Sequence, residues 1–329
     1  MKQNITQGIL AMLISSFLFA LMSAEAKILS DSIPPMEVAF FRSFVMILLL
    51  LPLLFNKPMK LPRHKSGGWW ILVARAGAGG LSFVALFYNI ATISLGTASA
   101  FAQSMPLYVV VLSMIFLKEH FNVGVILSTI LGFIGILLIC NPSLNELEML
   151  NIVFGIAGAL SMAVAFLNLR ALKDYFSSWV IVFSTGVAMS VMALLLSWCG
   201  VPYFDEQWVM PNGIEWLHIA LLGFFGTLGQ HYLTKAYMIA PAGIIAPIDY
   251  TRLVFSVILG VILGDALPNL PTSVGIVLII LSGVGVGLPV LLADMRRLRR
   301  YRRISSSLNA RHDTIRNTEG KSHNKTKDI

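Results

Sequence analysis

Residues 8–31 read GILAMLISSFLFALMSAEAKILSD, and residues 151–174 read NIVFGIAGALSMAVAFLNLRALKD. Each is an apolar run of the length, about 20 residues, that a helix needs to cross a bilayer core. At a constant offset of 143, Glu25 stands against Asn168, Lys27 against Arg170, Leu29 against Leu172 and Asp31 against Asp174. Later features repeat in the same order. Leu95-Gly96-Thr97-Ala98 precedes a span that ends in Lys118-Glu119, and Ala240-Pro241-Ala242 precedes one that ends in Gly264-Asp265. A single match in apolar sequence means little, but the shared order identifies an internal repeat.

Working outward with the same ruler, spans fall near 7–30, 36–55, 69–93, 97–117, 123–140, 151–172, 178–199, 214–238, 242–263 and 271–292. Pro34-Pro35, Asn56-Lys57-Pro58, Asn141-Pro142, Pro211-Asn212-Gly213 and the stretch from Pro268 to Pro271 punctuate the gaps, as helix-stopping residues should. The runs are too long for barrel strands of roughly ten alternating residues. The expected fold is therefore an all-α integral membrane protein with ten transmembrane helices. Five spans per half is an odd number, so the second half enters the membrane from the opposite side and the two five-helix repeats are inverted. The repeats are expected at 1–145 and 146–293, followed by a basic, disordered cytoplasmic tail at 294–329.

Composition agrees with lipid as the solvent. The chain of 329 residues is 57% hydrophobic and 12% charged, against about 25% charged in a soluble domain. The net charge of +8 does not imply nucleic acid as a partner, because it sits in one place. From Arg296 onward there are eleven Lys/Arg against Asp313, Glu319 and Asp328, and the remainder is neutral. The cluster from Arg296 to Arg303 reads as a topology anchor at anionic lipid head groups.

With the N-terminus inside, the inner connections carry Lys57, Lys60, Arg63, Lys65, Lys118, Arg170, Lys173 and Lys235, and the outer ones carry Lys27 alone beside Asp31, Glu146, Glu148, Asp205 and Glu206. That bias places both termini in the cytoplasm, in a cell inner membrane. The first apolar run lacks the charged start and small-residue cleavage site of a signal peptide, and is expected to remain as span one. Cys140 and Cys199 form no metal-ligand spacing and read as apolar core thiols, although a disulfide between them is left open.

Ionisable groups inside hydrocarbon cost about 2.5–3.5 kcal/mol on insertion scales, so each needs a partner or a watery cavity. Asp249 and Arg252 in span nine share a helical face; they either neutralise each other as packing glue or line a central cavity where Arg252 offers a planar fork to a carboxylate. Arg42 in span two has either a cavity role or a cross-helix partner such as Glu25. Arg75 in span three is expected to snorkel toward head groups. His231 is a candidate for proton coupling or a side chain bonded to a neighbouring helix. Glu25 is either a proton carrier or a residue of the outer rim. Gln103 and Tyr250 complete the candidate substrate-binding set of Arg42, Gln103, Asp249, Tyr250 and Arg252.

The glycines of span three (Gly77, Gly79, Gly80) and of span eight (Gly223, Gly226, Gly229) are expected to be packing seams. Spans five and ten are nearly free of polar residues and are assigned to packing or to a homodimer contact. No phosphate loop, zinc pattern or catalytic triad is present, so neither a cofactor, a bound metal nor an enzymatic activity is expected.

The segment Glu37-Val38-Ala39-Phe40-Phe41-Arg42, Gly96-Thr97-Ala98 with Pro106, Lys118-Glu119, and Pro247-Ile248-Asp249-Tyr250-Thr251-Arg252 together resemble the EamA-type carriers of the drug/metabolite transporter superfamily. The likeness covers nearly all of 8–290, and the segments in spans two and nine look closest to the branch with S-adenosylmethionine and riboflavin uptake carriers. It departs in having Asp265 where the family usually shows Glu. The resemblance implies a secondary carrier, not ATP-driven, that moves a small organic metabolite by alternating access, with import and export both open. A translocator of lipid or lipid-linked solute on the same fold is the alternative.

The charge bias makes a direct prediction. Fluorescent protein fused after Ile329 should fluoresce and alkaline phosphatase fused there should be inactive; active phosphatase would reverse the assigned topology.

Overall fold

The computed structural model describes residues 5–30, 32–56, 67–93, 95–119, 123–142, 147–198, 208–264 and 267–289. Among them the helices are α1 (Ile5–Leu29), α2 (Pro35–Asn56), α3 (Gly68–Thr92), α4 (Leu95–Gln103), α5 (Met105–Phe116), α6 (Val123–Cys140), α7 (Met149–Leu172), α8 (Ser178–Trp198), α9 (Gly213–Ile239), α10 (Ala242–Ile245), a 3-10 turn at Ala246–Tyr250, α11 (Thr251–Ile262) and α12 (Leu270–Pro289). Residues 1–287 form one compact unit, and of the unit that follows only Leu288 and Pro289, the end of α12, are described. Cys199, Asp265 and the arginine cluster lie outside the described residues.

Nine segments among the described residues are long and apolar enough to cross a membrane. The tenth crossing is α9, whose 27 residues reach about 40 Å at 1.5 Å per residue. It is the least apolar because it carries Gln230, His231 and His218. Asn212 caps its start, accepting from the backbone N–H groups of Ile214 at 3.1 Å and Glu215 at 3.2 Å, while Glu215 accepts from the Asn212 N–H at 2.7 Å.

Two spans that read as continuous apolar runs are broken. Span four divides at Ser104 into α4 and α5, and span nine divides into α10, the 3-10 turn and α11. Pro106 and Pro247 explain the breaks, because each removes a backbone N–H and crowds the preceding turn. At the first break, Leu107 N–H bonds to the Ser104 carbonyl at 3.0 Å, and the Ser104 hydroxyl donates to Phe101 O at 2.6 Å. Each half also ends its broken span with a left-handed residue, Lys118 at φ 51° and Gly264 at φ 101°.

The principal seams run between halves rather than within them: α1 lies along α9, α3 along α7, and α2 crosses α8. Lipid offers no hydrophobic force to hold apolar helices together, so close packing and buried hydrogen bonds must do so. The buried Ser15 hydroxyl of α1 donates to Gly229 O of α9 at 2.8 Å, and in the corresponding seam the Ser161 hydroxyl of α7 donates to Ala78 O of α3 at 2.8 Å. On the α3–α7 seam Asn151 also donates to Asn89 Oδ1 at 3.3 Å and to Thr92 Oγ1 at 2.6 Å, and Asn89 donates to Asn151 O at 3.1 Å.

The expectation for the glycines holds in one half and needs correction in the other. Gly223, Gly226 and Gly229 face Val45, Arg42 with Met22, and Phe19 at contact distance or closer. Gly77 and Gly79 meet nothing within 4 Å, and only Gly80 packs closely, with its Cβ position 3.0 Å from Met192 of α8. The small residues that let α3 approach α7 stand on α7 instead, where a Cβ on Gly158 would press on Ala85 at 2.7 Å. Gly79 lines the central cavity.

Gly223→Ala would place its new methyl on Val45 and force α9 away from α2. A loss of about 1–3 kcal/mol is expected, read as a lower melting temperature in detergent, whereas Gly77→Ala should leave it unchanged.

Candidate functional site

Between the halves lies a cavity of about 320 Å³. Side chains from α1, α2, α3, α4, α7, α8, α9 and the span-nine break face it. Most of its wall is apolar or aromatic, including Phe19, Phe83, Phe101, Phe154 and Phe166. Among the described residues the charged groups on the wall are Arg42, Arg75, Arg252 and Asp249, a formal excess of two positive charges. The breaks in spans four and nine bring Gln103, Asp249 and Arg252 together at the cavity edge.

Arg252 sits one residue inside α11. Its Nη2 donates to Gln103 Oε1 at 3.1 Å and stands 3.7 Å from Asp249 Oδ2. That second distance is too long for a hydrogen bond, so the ion pair within span nine is loose. Asp249 is 2% exposed, and its Oδ1 has no hydrogen-bond partner among the described residues.

Arg42 reaches the cavity over Gly226, where a Cβ would stand 3.3 Å from its Nε. That Nε is buried without a partner, and neither a hydrogen bond nor an ion pair to Arg42 is formed among the described residues. The Phe19 ring lies 6.0 Å from the Arg42 Cζ and 5.4 Å from the Arg252 Cζ. One aromatic ring thus serves two guanidinium groups that repel each other, a partial compensation for their nearness.

Arg75 does not snorkel. It is 3% exposed, lines the cavity and donates through Nη1 to the Thr185 hydroxyl of α8, while its Nε lacks a partner. The side of α3 that carries Arg75 faces α8 rather than lipid, so the guanidinium finds its polar contact inside the bundle. Its distance from the helix end, which suggested snorkelling, carries no information about that face.

Three candidates stand elsewhere. Tyr250 is fully buried against Ile136, Val254 and Ile279, over Gly132 of α6, and is not among the cavity-lining residues. His231 stacks on Trp179 with ring centroids 3.5 Å apart, and its Nδ1 lies 3.2 Å from the Ser178 hydroxyl of α8. Glu25 meets His218 Nδ1 of α9 at 2.7 Å rather than Arg42. Sequence reading passed over Thr185, Asn89 and Phe19. Thr185 was within reach of the repeat, since it stands 143 positions after Arg42.

The ends of the bundle carry polar contacts as well. At one end Glu119, closing span four, pairs with Arg170 of α7, and its Oε2 accepts from the Gly243 N–H of α10 at 3.5 Å. At the other end, beside the Glu25–His218 pair, the 2% exposed Glu37 accepts from Val209 N–H at 2.9 Å. Each contact joins a residue of the first half to one of the second.

A deep cavity between inverted halves, bounded by two broken spans, has the form of a solute pathway, and comparison with known proteins agrees. The EamA-like transporter family matches twice, at residues 6–141 and 149–288. An uncharacterized transporter of Helicobacter pylori (strain J99) is 39% identical over 298 residues, covering 91% of this chain and 100% of its own. The pseudopaline exporter CntI of Pseudomonas aeruginosa is 30% identical over 280 residues, covering 85% and 95%. The S-adenosylmethionine uptake transporter of Rickettsia felis is 26% identical over 269 residues, covering 80% and 88%. One solved crystal structure matches with a TM-score of 0.71 at 17% identity, over 91% of this chain and 99% of that one, which shows the fold alone. With a repeat of the family in each half, the chain belongs to the EamA-like transporter family.

Proposed function

We propose that the chain is a secondary carrier of a small organic anion, a metabolite bearing a carboxylate, and that it works by alternating access across a bacterial inner membrane with both termini in the cytoplasm. The observation that carries this reading is the cavity wall, with three guanidinium groups against a single carboxylate. Charges in a low-dielectric cavity need compensation, and an anionic substrate supplies it. Guanidinium matches a carboxylate in shape as well as in charge, through two parallel N–H···O bonds.

Arg42 is the primary contact, because its guanidinium forms no hydrogen bond or ion pair with any described residue, and Arg252 is the second. Gln103 orients Arg252 through the 3.1 Å bond. Asp249 holds Arg252 loosely and can release it when a substrate oxygen arrives. Two similar proteins carry names of opposite direction, an exporter and an uptake transporter, so relatedness does not fix the direction here. Contacts such as Glu119–Arg170 and Glu25–His218 join the halves toward the two ends, and alternating access requires them to part in turn.

The test is counterflow in proteoliposomes of purified protein, with labelled carboxylates, amino acids, nucleosides and S-adenosylmethionine, with and without a pH gradient. A carboxylate-bearing compound should exchange saturably. Arg42→Gln and Arg252→Gln should each lower that exchange about tenfold or more, in line with loss of a charge-assisted hydrogen bond. Full transport by both variants, or saturable movement confined to cations or lipids, would overturn the reading.

A further inference from the structure

Arg75 has no place in that minimal scheme, yet it is the most deeply buried of the three cavity arginines. It forms no ion pair among the described residues, and its Nε has no partner. A structural role would be served by a neutral side chain bonded to Thr185. Burying a guanidinium for that alone is expensive.

The repeat shows where this charge stands. Ser43 and Gly186 are 143 apart in the chain, the offset that relates the halves, and they touch where α2 crosses α8: a Cβ on Gly186 would lie 3.4 Å from Ser43 O. Two equivalent residues can meet only near the axis that exchanges them. The preceding residues, Arg42 and Thr185, are equivalent too, and so fall on opposite sides of that axis while both line the cavity. The second half lacks an arginine at its copy of position 42. Its threonine there is hydrogen-bonded to Arg75 of α3 instead. A guanidinium therefore stands on each side of the crossing.

We propose that the cavity has two anion-binding poles, Arg42 with Arg252 on one side of the α2–α8 crossing and Arg75 held by Thr185 on the other, and that the substrate is a small dianion whose two carboxylates bridge them. This rests on the anion-carrier reading and narrows its substrate class. Arg75 is the specificity-determining residue: it separates dianions from monoanions, and Thr185 positions it. The formal excess of two charges matches a dianion and leaves a monoanion one charge short.

Binding to the purified full-length chain in nanodiscs tests this. The probes are the α,ω-dicarboxylates from malonate through pimelate, each compared with the monocarboxylate of equal length. At least one dicarboxylate should bind about tenfold or more tightly than its monocarboxylate. Arg75→Gln should abolish that difference by weakening dicarboxylates far more than monocarboxylates, while Arg75→Lys, which keeps the charge, should retain part of it. Unchanged melting temperatures show that the variants are folded.

Dicarboxylates binding no better than monocarboxylates, or Arg75→Gln weakening both classes equally, would overturn the two-pole arrangement. In that case monocarboxylate binding that still depends on Arg42 would leave the anion-carrier reading standing. Wild-type protein that binds neither class would remove both.

Discussion

Charge buried within a bilayer governs this structure. A guanidinium at the level of the hydrocarbon core costs about 2.5–3.5 kcal/mol even on the mildest scales, and three of them face one cavity here. They are tolerable only if protein and water, not lipid, surround them. That requirement accounts for the interleaving of the halves: α1 lies on α9, α3 on α7 and α2 on α8, so that the wall around the charges is drawn from both repeats. A pair of bundles standing side by side would leave each repeat to hide its own arginines.

Broken helices serve the same requirement. Pro106 and Pro247 interrupt spans four and nine beside the cavity, where backbone groups released from the helical ladder can find water or a side chain. The breaks turn Gln103, Asp249 and Arg252 toward one another. A 3-10 turn brings residues i and i+3 onto one side, and the charged ends of Asp249 and Arg252 stand 3.7 Å apart there.

The spans and the inverted repeat were legible in the sequence because both depend on long-range order of apolar runs, which a lipid environment imposes directly. Most helix ends fall within two residues of the expected positions. The interruptions of spans four and nine were hidden, since a broken run is as apolar as a continuous one. Facing was also hidden. A glycine triplet in α3 and another in α9 look alike as sequence, yet all three of α9 meet neighbours closely and only Gly80 of α3 does. Likewise Arg75 reads as a residue near a helix end until the rotation of α3 toward α8 is known. Tyr250 shares a motif with Asp249 and Arg252, but one residue along a 3-10 turn swings a side chain about 120°, and its ring enters the core beside α6.

The uneven charge of the cavity bears on how the carrier behaves in an energised membrane. Each elementary charge that crosses the full potential exchanges about 2.3 kcal/mol per 100 mV. Under the proposed alternating access, a cavity with two unbalanced positive charges would act as a voltage-sensing element, since its charges would move through part of the field. Under the proposed two-pole arrangement a bound dianion would cancel them, and the loaded form would reorient without feeling the potential. The empty return step would therefore be the electrogenic one, and a resting potential would set how long the vacant carrier waits on each side of the membrane.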